Sequence, residues 1–395
     1  MDRRASVREK SRRDECGTMK TKVAVDLTWI RHGIVGGTES YTMNLLDGFV
    51  SVADPDIEYI FITSRDNEKY LERFKGINNI TIYVGSFDAA KRAWRILWQN
   101  TRLNPVIRKL GAGVCIEPIY LKPFLPSPKI KYITTIHDLQ AAHYPEFFSK
   151  PFVLWMKIGW WNAVHSSDRV IVISEFVKKD ILSRYRVDEK KLVLNYDPIT
   201  IYEENVAPYE KLKEWGAKEK GYYYMVSSLL PHKNIETVIR ALGILKKRGS
   251  KAYIPLIISG VGGKSKGALL ALADESDVRE NVFMTPFISE EERNLLYKYC
   301  KTYLAPSLFE GFGMPPIEAM IMGAPLLSTY ETCSYEVSEG IAEYVDDARD
   351  PVQWADKLEQ GVRQPDRQRV MDLKEKYSKE SIAKVFNSTV KELAL

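Results

Sequence analysis

The sequence has 395 residues, of which 45% are hydrophobic and 28% charged, and its formal net charge is +5 at pH 7. This length predicts two domains of about 100–200 residues each rather than one core. The composition excludes a disordered chain, and the mild positive charge falls short of a nucleic-acid-binding protein while suiting anionic ligands or an anionic membrane surface.

The cysteines and the apolar runs indicate the compartment. Cys16, Cys115, Cys300 and Cys333 lack C-x-x-C spacing, so the sequence suggests neither a zinc site nor a disulfide framework. No apolar run reaches the roughly 18–20 residues of a membrane span. Residues 1–18 are charged and lack the apolar segment of a signal peptide, so we expect a disordered extension there and a cytoplasmic protein.

Strand and helix patterns alternate through the first half of the chain. The pattern predicts an amphipathic helix over 38–50 and strands over 22–29, 59–63, 80–84, 114–116, 131–136 and 170–174. Such alternation is typical of a parallel sheet with helices on both faces. We therefore predict an N-terminal Rossmann-like domain over residues 19–200.

The alternation begins again in the second half. Strands are predicted over 222–226, 254–259, 282–285, 303–306 and 325–328, which assigns residues 201–377 to a second Rossmann-like domain. Turn residues followed by charges at 197–205 mark the hinge. Residues 378–395 form an amphipathic pattern with Ile382, Phe386 and Val390 on one stripe, which predicts a terminal helix.

The most informative segment runs from residue 307 to residue 320. Glu310 and Glu318 flank a glycine-rich loop, and Pro315 and Pro316 begin a predicted helix, where a missing N–H costs nothing. Glycine amides and a helix N-terminus favour a phosphate, and flanking carboxylates can bind sugar hydroxyls. This arrangement at a strand-to-helix crossing indicates a nucleotide-sugar site.

Two further side chains follow predicted strands, where open α/β sheets bind ligands. Lys233 follows the strand 222–226, and its compact cation suits a diphosphate. His137 follows the strand 131–136. Gly36 and Gly37 precede the first predicted helix, and they would let the backbone approach a diphosphate or an acceptor.

These segments together resemble the family-4 retaining glycosyltransferases, which have the two-domain GT-B fold. Glu310 to Glu318 resembles the family's E-x7-E signature, and the segments around Gly36, His137 and Lys233 resemble its glycine loop, donor-site histidine and phosphate-binding lysine. The resemblance spans most of the chain. It implies two Rossmann-like domains facing a central cleft, with the terminal helix crossing back to the N-terminal domain.

The resemblance also implies roles for residues. Glu310 would lie near the donor sugar's reacting face, Glu318 on the ribose, His137 on the sugar and Lys233 on the diphosphate, so that Glu310, Lys233 and His137 are the catalytic candidates. Ser228 stands where many relatives carry a phosphate-binding arginine. The remaining donor-binding candidates are Gly36, Gly37, Gly311, Phe312, Gly313 and Met314.

The implied function is retaining transfer of a hexose from a nucleotide diphosphate sugar, GDP-mannose or a UDP-hexose, to a glycan or lipid-linked glycan. The family role is assembly of bacterial polysaccharide or lipopolysaccharide, and no metal cofactor is expected. Two alternatives stay open: a GT-B-fold sugar-nucleotide epimerase, and a non-catalytic sugar-nucleotide-binding subunit.

Three other patterns have both a functional and a plain structural interpretation. Glu310 and Glu318 would lie roughly 8–12 Å apart, more than a retaining glycosidase allows. Asp54-Pro55-Asp56 matches a metal-binding D-x-D, but proline and the surrounding turn favour a plain loop. Residues 91–102 interleave cations with tryptophans; they predict either a helix that covers its sheet or one that docks peripherally on an anionic membrane.

Overall fold

The structure is a computed structural model that describes residues 20–31, 36–228, 230–260 and 265–394. The extension expected over residues 1–18 lies outside these ranges. None of the described helices is both long and apolar enough to cross a membrane.

The first sheet contains seven strands in the order β3-β2-β1-β4-β5-β6-β7. Its pairings β1–β2, β2–β3, β1–β4 and β4–β5 are parallel. Val23, Ala24 and Val25 in the central strand are fully buried, as expected where helices cover both faces. The strands are β1 (Thr21–Asp26), β2 (Ile57–Ser64), β3 (Ile80–Gly85), β4 (Val114–Glu117), β5 (Lys131–Ile136), β6 (Arg169–Val172) and β7 (Leu192–Leu194).

The helices around this sheet and its connections include one interrupted helix. A π-helical turn, Gln99–Leu103, joins the second and third helices into a continuous segment. The helices are α1 (Gly37–Val52), α2 (Arg92–Trp98), α3 (Asn104–Lys109), α4 (Gln140–His143), α5 (Lys150–Ser166) and α6 (Glu175–Arg184); short 3-10 helices cover Arg65–Phe74, Pro145–Phe147 and Glu189–Lys191.

The second sheet contains six strands in the order β10-β9-β8-β11-β12-β13, and its pairings are parallel. The strands are β8 (Tyr223–Val226), β9 (Leu256–Ser259), β10 (Val282–Met284), β11 (Thr302–Leu304), β12 (Leu326–Thr329) and β13 (Glu343–Val345). The helices are α7 (Ile235–Lys247), α8 (Ser265–Glu275), α9 (Glu290–Tyr299), α10 (Met314–Ile321), α11 (Ser334–Val337), α12 (Pro351–Gln360), α13 (Arg367–Lys376) and α14 (Lys379–Ala394), with 3-10 helices at Tyr209–Trp215, Pro231–Lys233 and Arg279–Asn281.

The prediction of two parallel sheets with intervening helices is confirmed, with small differences at the ends of elements. The first strand stops at Asp26 rather than at residue 29, because the Asp26 carboxylate accepts a hydrogen bond from the Thr28 amide at 2.8 Å and turns the chain. The strands β7 and β13 were not predicted. Each has three residues and lies at one edge of its sheet.

The chain divides into two compact units. Of the described residues, unit 1 contains those within Met1–Thr135, Asn162–Val170 and Ala383–Leu395, and unit 2 contains those within Ile136–Trp161 and Ile171–Ile382. The first sheet ends at Leu194 and the second begins at Tyr223, so the domain boundary predicted at residues 200 and 201 falls between the sheets. That boundary stays a prediction.

The terminal helix returns to unit 1, which confirms the predicted crossover. Phe386 is fully buried and packs edge-to-face on Phe49, with ring centroids 5.9 Å apart. Lys391 lies 3.0 Å from Asp54 and 2.9 Å from Asp56. The D-x-D carboxylates therefore bind a lysine of this helix.

Candidate active site

Two loops of unit 2 carry the residues with the most chemistry. The order of the second sheet reverses between β8 and β11. Connections leave such a switch point on opposite sides, which opens a crevice at the carboxyl ends of the strands. Lys233 lies in the connection after β8, and Glu310 lies in the connection after β11. The topology thus brings together two residues that are far apart in the chain.

Lys233 and Glu310 form a half-buried ion pair. The Lys233 Nζ lies 2.6 Å from the Glu310 Oε1, and the two side chains are 20% and 25% exposed. Burial alone would raise the pKa of Glu310, but the charge and hydrogen bond of Lys233, with a further bond from Ser307, lower it below the ordinary value. Glu310 is therefore ionised at neutral pH, and a cation and an anion face the crevice together.

The loop that carries the lysine is fixed at both ends by hydrogen bonds. Asn234 has a left-handed backbone with φ of 54°, which asparagine tolerates better than most residues. Its Nδ2 donates to the carbonyl oxygens of Pro306 at 3.1 Å and Ala348 at 2.7 Å. The Leu308 amide donates to the His232 carbonyl at 2.7 Å and joins this loop to the glutamate loop. The ion pair is thus held by main-chain contacts.

The glycine-rich loop after Glu310 needs its glycines. A Cβ on Gly311 would overlap the His137 carbonyl oxygen, and the Ser174 hydroxyl donates to the Gly311 carbonyl at 2.7 Å. Gly313 has φ of 85° and immediately precedes helix α10, which begins at Met314. The helix N-terminus therefore follows directly on the loop, an arrangement suited to a phosphate.

Phe312 contributes to the core rather than to the crevice. Its ring is 2% exposed and packs edge-to-face on Tyr377, with ring centroids 5.0 Å apart. The ring of Tyr196 lies 6.1 Å away. A role of Phe312 in donor binding is thereby confined to its main chain.

Glu318 is held by two residues of helix α9 that the sequence analysis did not identify. The Tyr297 hydroxyl donates to the Glu318 Oε2 at 3.0 Å, and the Arg293 Nε lies 3.8 Å from that oxygen. Tyr297 is fully buried, and burial first, then the charge of Glu318, raises its pKa well above the ordinary value. The Tyr297 hydroxyl therefore stays protonated and acts as the donor of this hydrogen bond. The spacing of Arg293 and Tyr297, four residues along one helix face, was the available signal.

His137 lies directly after β5 and is half-buried. The Oδ1 of the neighbouring Asp138 accepts a hydrogen bond from the Gln140 amide at 2.8 Å. Burial raises the pKa of Asp138, and the charge of Glu310 raises it further. The segment after β5 therefore brings a histidine and a carboxyl group into unit 2 beside the glycine loop.

His232 precedes the lysine and has a structural role. It is 3% exposed, and the Gln140 amide nitrogen lies within 3.0 Å of both its ring nitrogens. Burial, followed by the charge of Lys233, lowers the pKa of His232 to about 4. The ring is therefore neutral at physiological pH, and it adds no charge to the crevice.

Three of the predicted donor-binding residues are exposed. Ser228 lies between β8 and Lys233, and its hydroxyl has no hydrogen bond to any of the residues described. Gly36 has φ of 75° and precedes helix α1, and Gly37 is its first residue. Both glycines belong to unit 1. Across residues 20–31, 36–228, 230–260 and 265–394, no three His, Cys, Asp or Glu side chains group as metal ligands.

Two family models match the chain in its two halves. The model described as Glycosyltransferase Family 4 matches residues 35–201, and the model described as Glycosyl transferases group 1 matches residues 210–380. The second match contains Lys233, Glu310 and Glu318, and the first contains Gly36, Gly37 and His137.

Curated relatives include proteins of O-antigen synthesis. The O-antigen chain mannosyltransferase RfbU of Salmonella typhimurium is 27% identical over 84% of this chain and 88% of its own length. The O-antigen chain mannosyltransferase B of Escherichia coli is 27% identical over 54% of this chain, and the match spans 57% of that protein.

Solved structures share the fold at low sequence identity. The Anabaena protein HepE, in complex with UDP and glucose, matches 94% of this chain with a TM-score of 0.69 and 13% identity. A glycosyltransferase from Rickettsia africae matches 95% with a TM-score of 0.66 and 16% identity. The predicted fold class is confirmed. The chain thus carries two glycosyltransferase family matches in tandem, over residues 35–201 and 210–380, and it shares the GT-B fold of the solved glycosyltransferases that it resembles.

Proposed function

We propose that the protein transfers a hexose, with retention of configuration, from a nucleotide diphosphate sugar to a glycan or lipid-linked glycan. The observation that carries this proposal is the 2.6 Å pair of Lys233 and Glu310 beside the glycine loop and the N-terminus of α10. Positive charge for a diphosphate and a carboxylate for sugar hydroxyls meet there within one crevice.

Lys233 acts on the leaving group. The bond between the anomeric carbon and the diphosphate oxygen breaks, and negative charge grows on the diphosphate. A fixed ammonium and the main-chain amides of 311–314 stabilise that charge, and each preorganised donor of this kind is typically worth about 3–4 kcal/mol. We propose that these groups suffice without a metal ion.

The acceptor hydroxyl attacks the anomeric carbon from the face that the diphosphate leaves. Its proton passes to the departing phosphate oxygen, so the products are a glycoside of the same configuration and a protonated nucleoside diphosphate. This scheme needs no protein base, which agrees with the ionised but lysine-paired state of Glu310. Glu310 orients the donor hexose and stabilises positive charge on its ring.

Donor recognition is assigned to Glu318 and His137. Glu318 accepts hydrogen bonds from the ribose hydroxyls, and Tyr297 holds it in place at 3.0 Å. His137 contacts the sugar. The relatives named as O-antigen chain mannosyltransferases favour transfer of mannose to a polysaccharide acceptor. We therefore propose GDP-mannose as the first donor to test and UDP-hexoses as the second. We further propose a cytoplasmic enzyme that touches the inner face of the membrane peripherally.

The test incubates the protein with GDP-mannose or a UDP-hexose and a mannoside acceptor, with and without EDTA. We expect a new glycoside whose anomeric configuration, read by NMR, matches that of the donor. An isomerised donor without acceptor would instead indicate an epimerase. Donor binding without turnover, seen as a thermal shift only, would indicate a binding subunit.

A further inference from the structure

We propose that a pocket in unit 1 binds an anionic phospholipid of the bilayer, and that the helix beside it is the membrane-docking face. The pocket has a volume of about 580 Å³ and lies between residues 86–88 and helix α2 with its π-helical extension. A volume of roughly 300–1,000 Å³ is typical of ligand sites. The glycosyl-transfer chemistry described above uses none of the residues that line this pocket.

The floor of the pocket is aromatic. Phe87 and Trp98 stack with ring centroids 4.5 Å apart at 28°, and they are 5% and 8% exposed. A Cβ on Gly85 would overlap both rings, so the absence of a side chain there permits the stack. A preformed apolar floor suits a hydrocarbon chain.

The rim is apolar and faces solvent. Trp94 is 64% exposed and Leu97 is 51% exposed, one helical turn apart. Leu125, 82% exposed, is held to the same segment because Asn104 donates to its carbonyl oxygen at 2.9 Å. Soluble proteins rarely expose several large apolar side chains together unless a protein, a membrane or a ligand binds there.

Cations surround this rim. Arg65, Lys91 and Arg102 line the pocket together with one carboxylate, Asp88, which leaves a formal net charge of +2. Asp88 lies 3.5 Å from both Arg65 and Lys91. Arg102 is exposed and has no ion pair or hydrogen bond within the described part of the chain. Positive charge beside exposed tryptophan and leucine is the pattern of interfacial helices on anionic lipid.

The inner face of the same segment is fixed. Gln99, in the π-helical turn, donates to the buried Asp26 carboxylate at 2.7 Å. Asn100 accepts a hydrogen bond from the Phe124 amide at 2.9 Å. Because these contacts determine which side of the segment faces inward, the rim residues stay on the outer side.

An anionic bilayer fits these features better than a free phosphate does. A free phosphate would use the cations and leave the apolar rim exposed, whereas a phospholipid pairs its headgroup with the cations and its chains with the rim and floor. The inference rests on the proposed function in one respect, because a lipid-linked acceptor would have to be reached at a membrane.

The test is vesicle co-sedimentation of the full chain, with phosphatidylcholine vesicles and with vesicles that also contain phosphatidylglycerol. We expect binding to the anionic vesicles that weakens with salt, and inorganic phosphate should weaken it no more than sodium chloride does at the same ionic strength. Lys91→Glu with Arg102→Glu should weaken binding at least about 20-fold, since each cation near such a surface contributes about fivefold. Trp94→Ser with Leu97→Ser should weaken it about tenfold.

Matched controls lie on exposed sites of unit 2. Met371→Ser removes a 39% exposed apolar group, and Lys251→Glu reverses an exposed cation; both should bind vesicles as the unaltered protein does. Equal binding by the rim variants would overturn the proposal. Binding to neutral vesicles alone would also overturn it, as would displacement by phosphate beyond that caused by sodium chloride at the same ionic strength. If the protein binds no vesicles but still shows a thermal shift with the nucleotide-sugar donor, this inference is overturned while the proposed function stands.

Discussion

The Lys233 ammonium lies 2.6 Å from a Glu310 carboxylate oxygen, although 77 residues separate them in the chain. Each neutralises the other when no donor is bound. Removal of one partner leaves a half-buried charge without its counterion, whereas a bound diphosphate would offer Lys233 a second anion. The pair therefore links the stability of the crevice to its chemistry.

We expect Lys233→Ala to reduce transfer by about 100- to 1,000-fold, because a fixed cation at a developing anion is worth about 3–4 kcal/mol. The measurement is kcat with saturating acceptor, and Lys251→Ala, at an exposed site, is the control. An effect limited to acceptor affinity would show that the diphosphate binds elsewhere.

Glu310→Gln should abolish turnover and leave the protein folded, because the amide keeps the shape of the side chain and one acceptor oxygen but removes its charge. The loss should be seen in single-turnover transfer assays, with circular dichroism as the check on folding. Near-normal transfer would contradict the role assigned to Glu310.

Tyr297→Phe should raise the donor KM about 5- to 20-fold with little change in kcat, since it removes the 3.0 Å hydrogen bond that orients Glu318. Tyr222→Phe is a matched control. Its hydroxyl is also fully buried and donates to the Leu296 carbonyl at 2.9 Å, away from Glu318. The two variants should lose similar stability, and only the first should lose donor affinity.

The buried carboxyl group of Asp197 should make the free energy of unfolding depend on pH. It is 6% exposed, its Oδ1 has no hydrogen-bond partner among the described residues, and burial, with the charge of Asp138, raises its pKa to about 8. An unfolded aspartate has a pKa of about 3.9. Between about pH 4 and 8 the folded state therefore holds a proton that the unfolded state has lost, and stability falls as pH rises.

Asp197→Asn should remove this dependence. Urea unfolding at several pH values should show the free energy of unfolding of the unaltered protein falling by up to about 1.4 kcal/mol per pH unit relative to the variant. Asp346→Asn, at an exposed site, should track the unaltered protein. Parallel curves for Asp197→Asn would show that the carboxyl group is ionised in the folded state.

Phe386→Ala should destabilise the protein by about 3–5 kcal/mol, because it empties a fully buried site against Phe49. Urea unfolding measures the loss, and Lys384→Ala, exposed on the same helix, should cost far less. Similar costs would mean that the terminal helix contributes little to unit 1.

Local sequence was enough to predict much of the fold and to name candidate residues for the site. Apolar runs bounded by turn residues predicted most of the strands, because a strand buried on both faces must be apolar throughout. The sequence also predicted that Lys233 follows β8 and that Glu310 and Glu318 follow β11 around the start of helix α10. Glycine in the loop and proline in the first helical turn were the local signals for this start. The edge strands β7 and β13 were not predicted, although β10 and β11, which have the same length, were.

The tertiary structure alone decided which of these residues meet. The reversal of strand order between β8 and β11 puts Lys233 against Glu310, and helix packing puts Tyr297 against Glu318. Tertiary packing also buries Phe312 and pairs the Asp54 and Asp56 carboxylates with the Lys391 ammonium. Composition and periodicity report local preference and burial, whereas partners distant in the chain follow from sheet order and packing, which no short window of sequence contains.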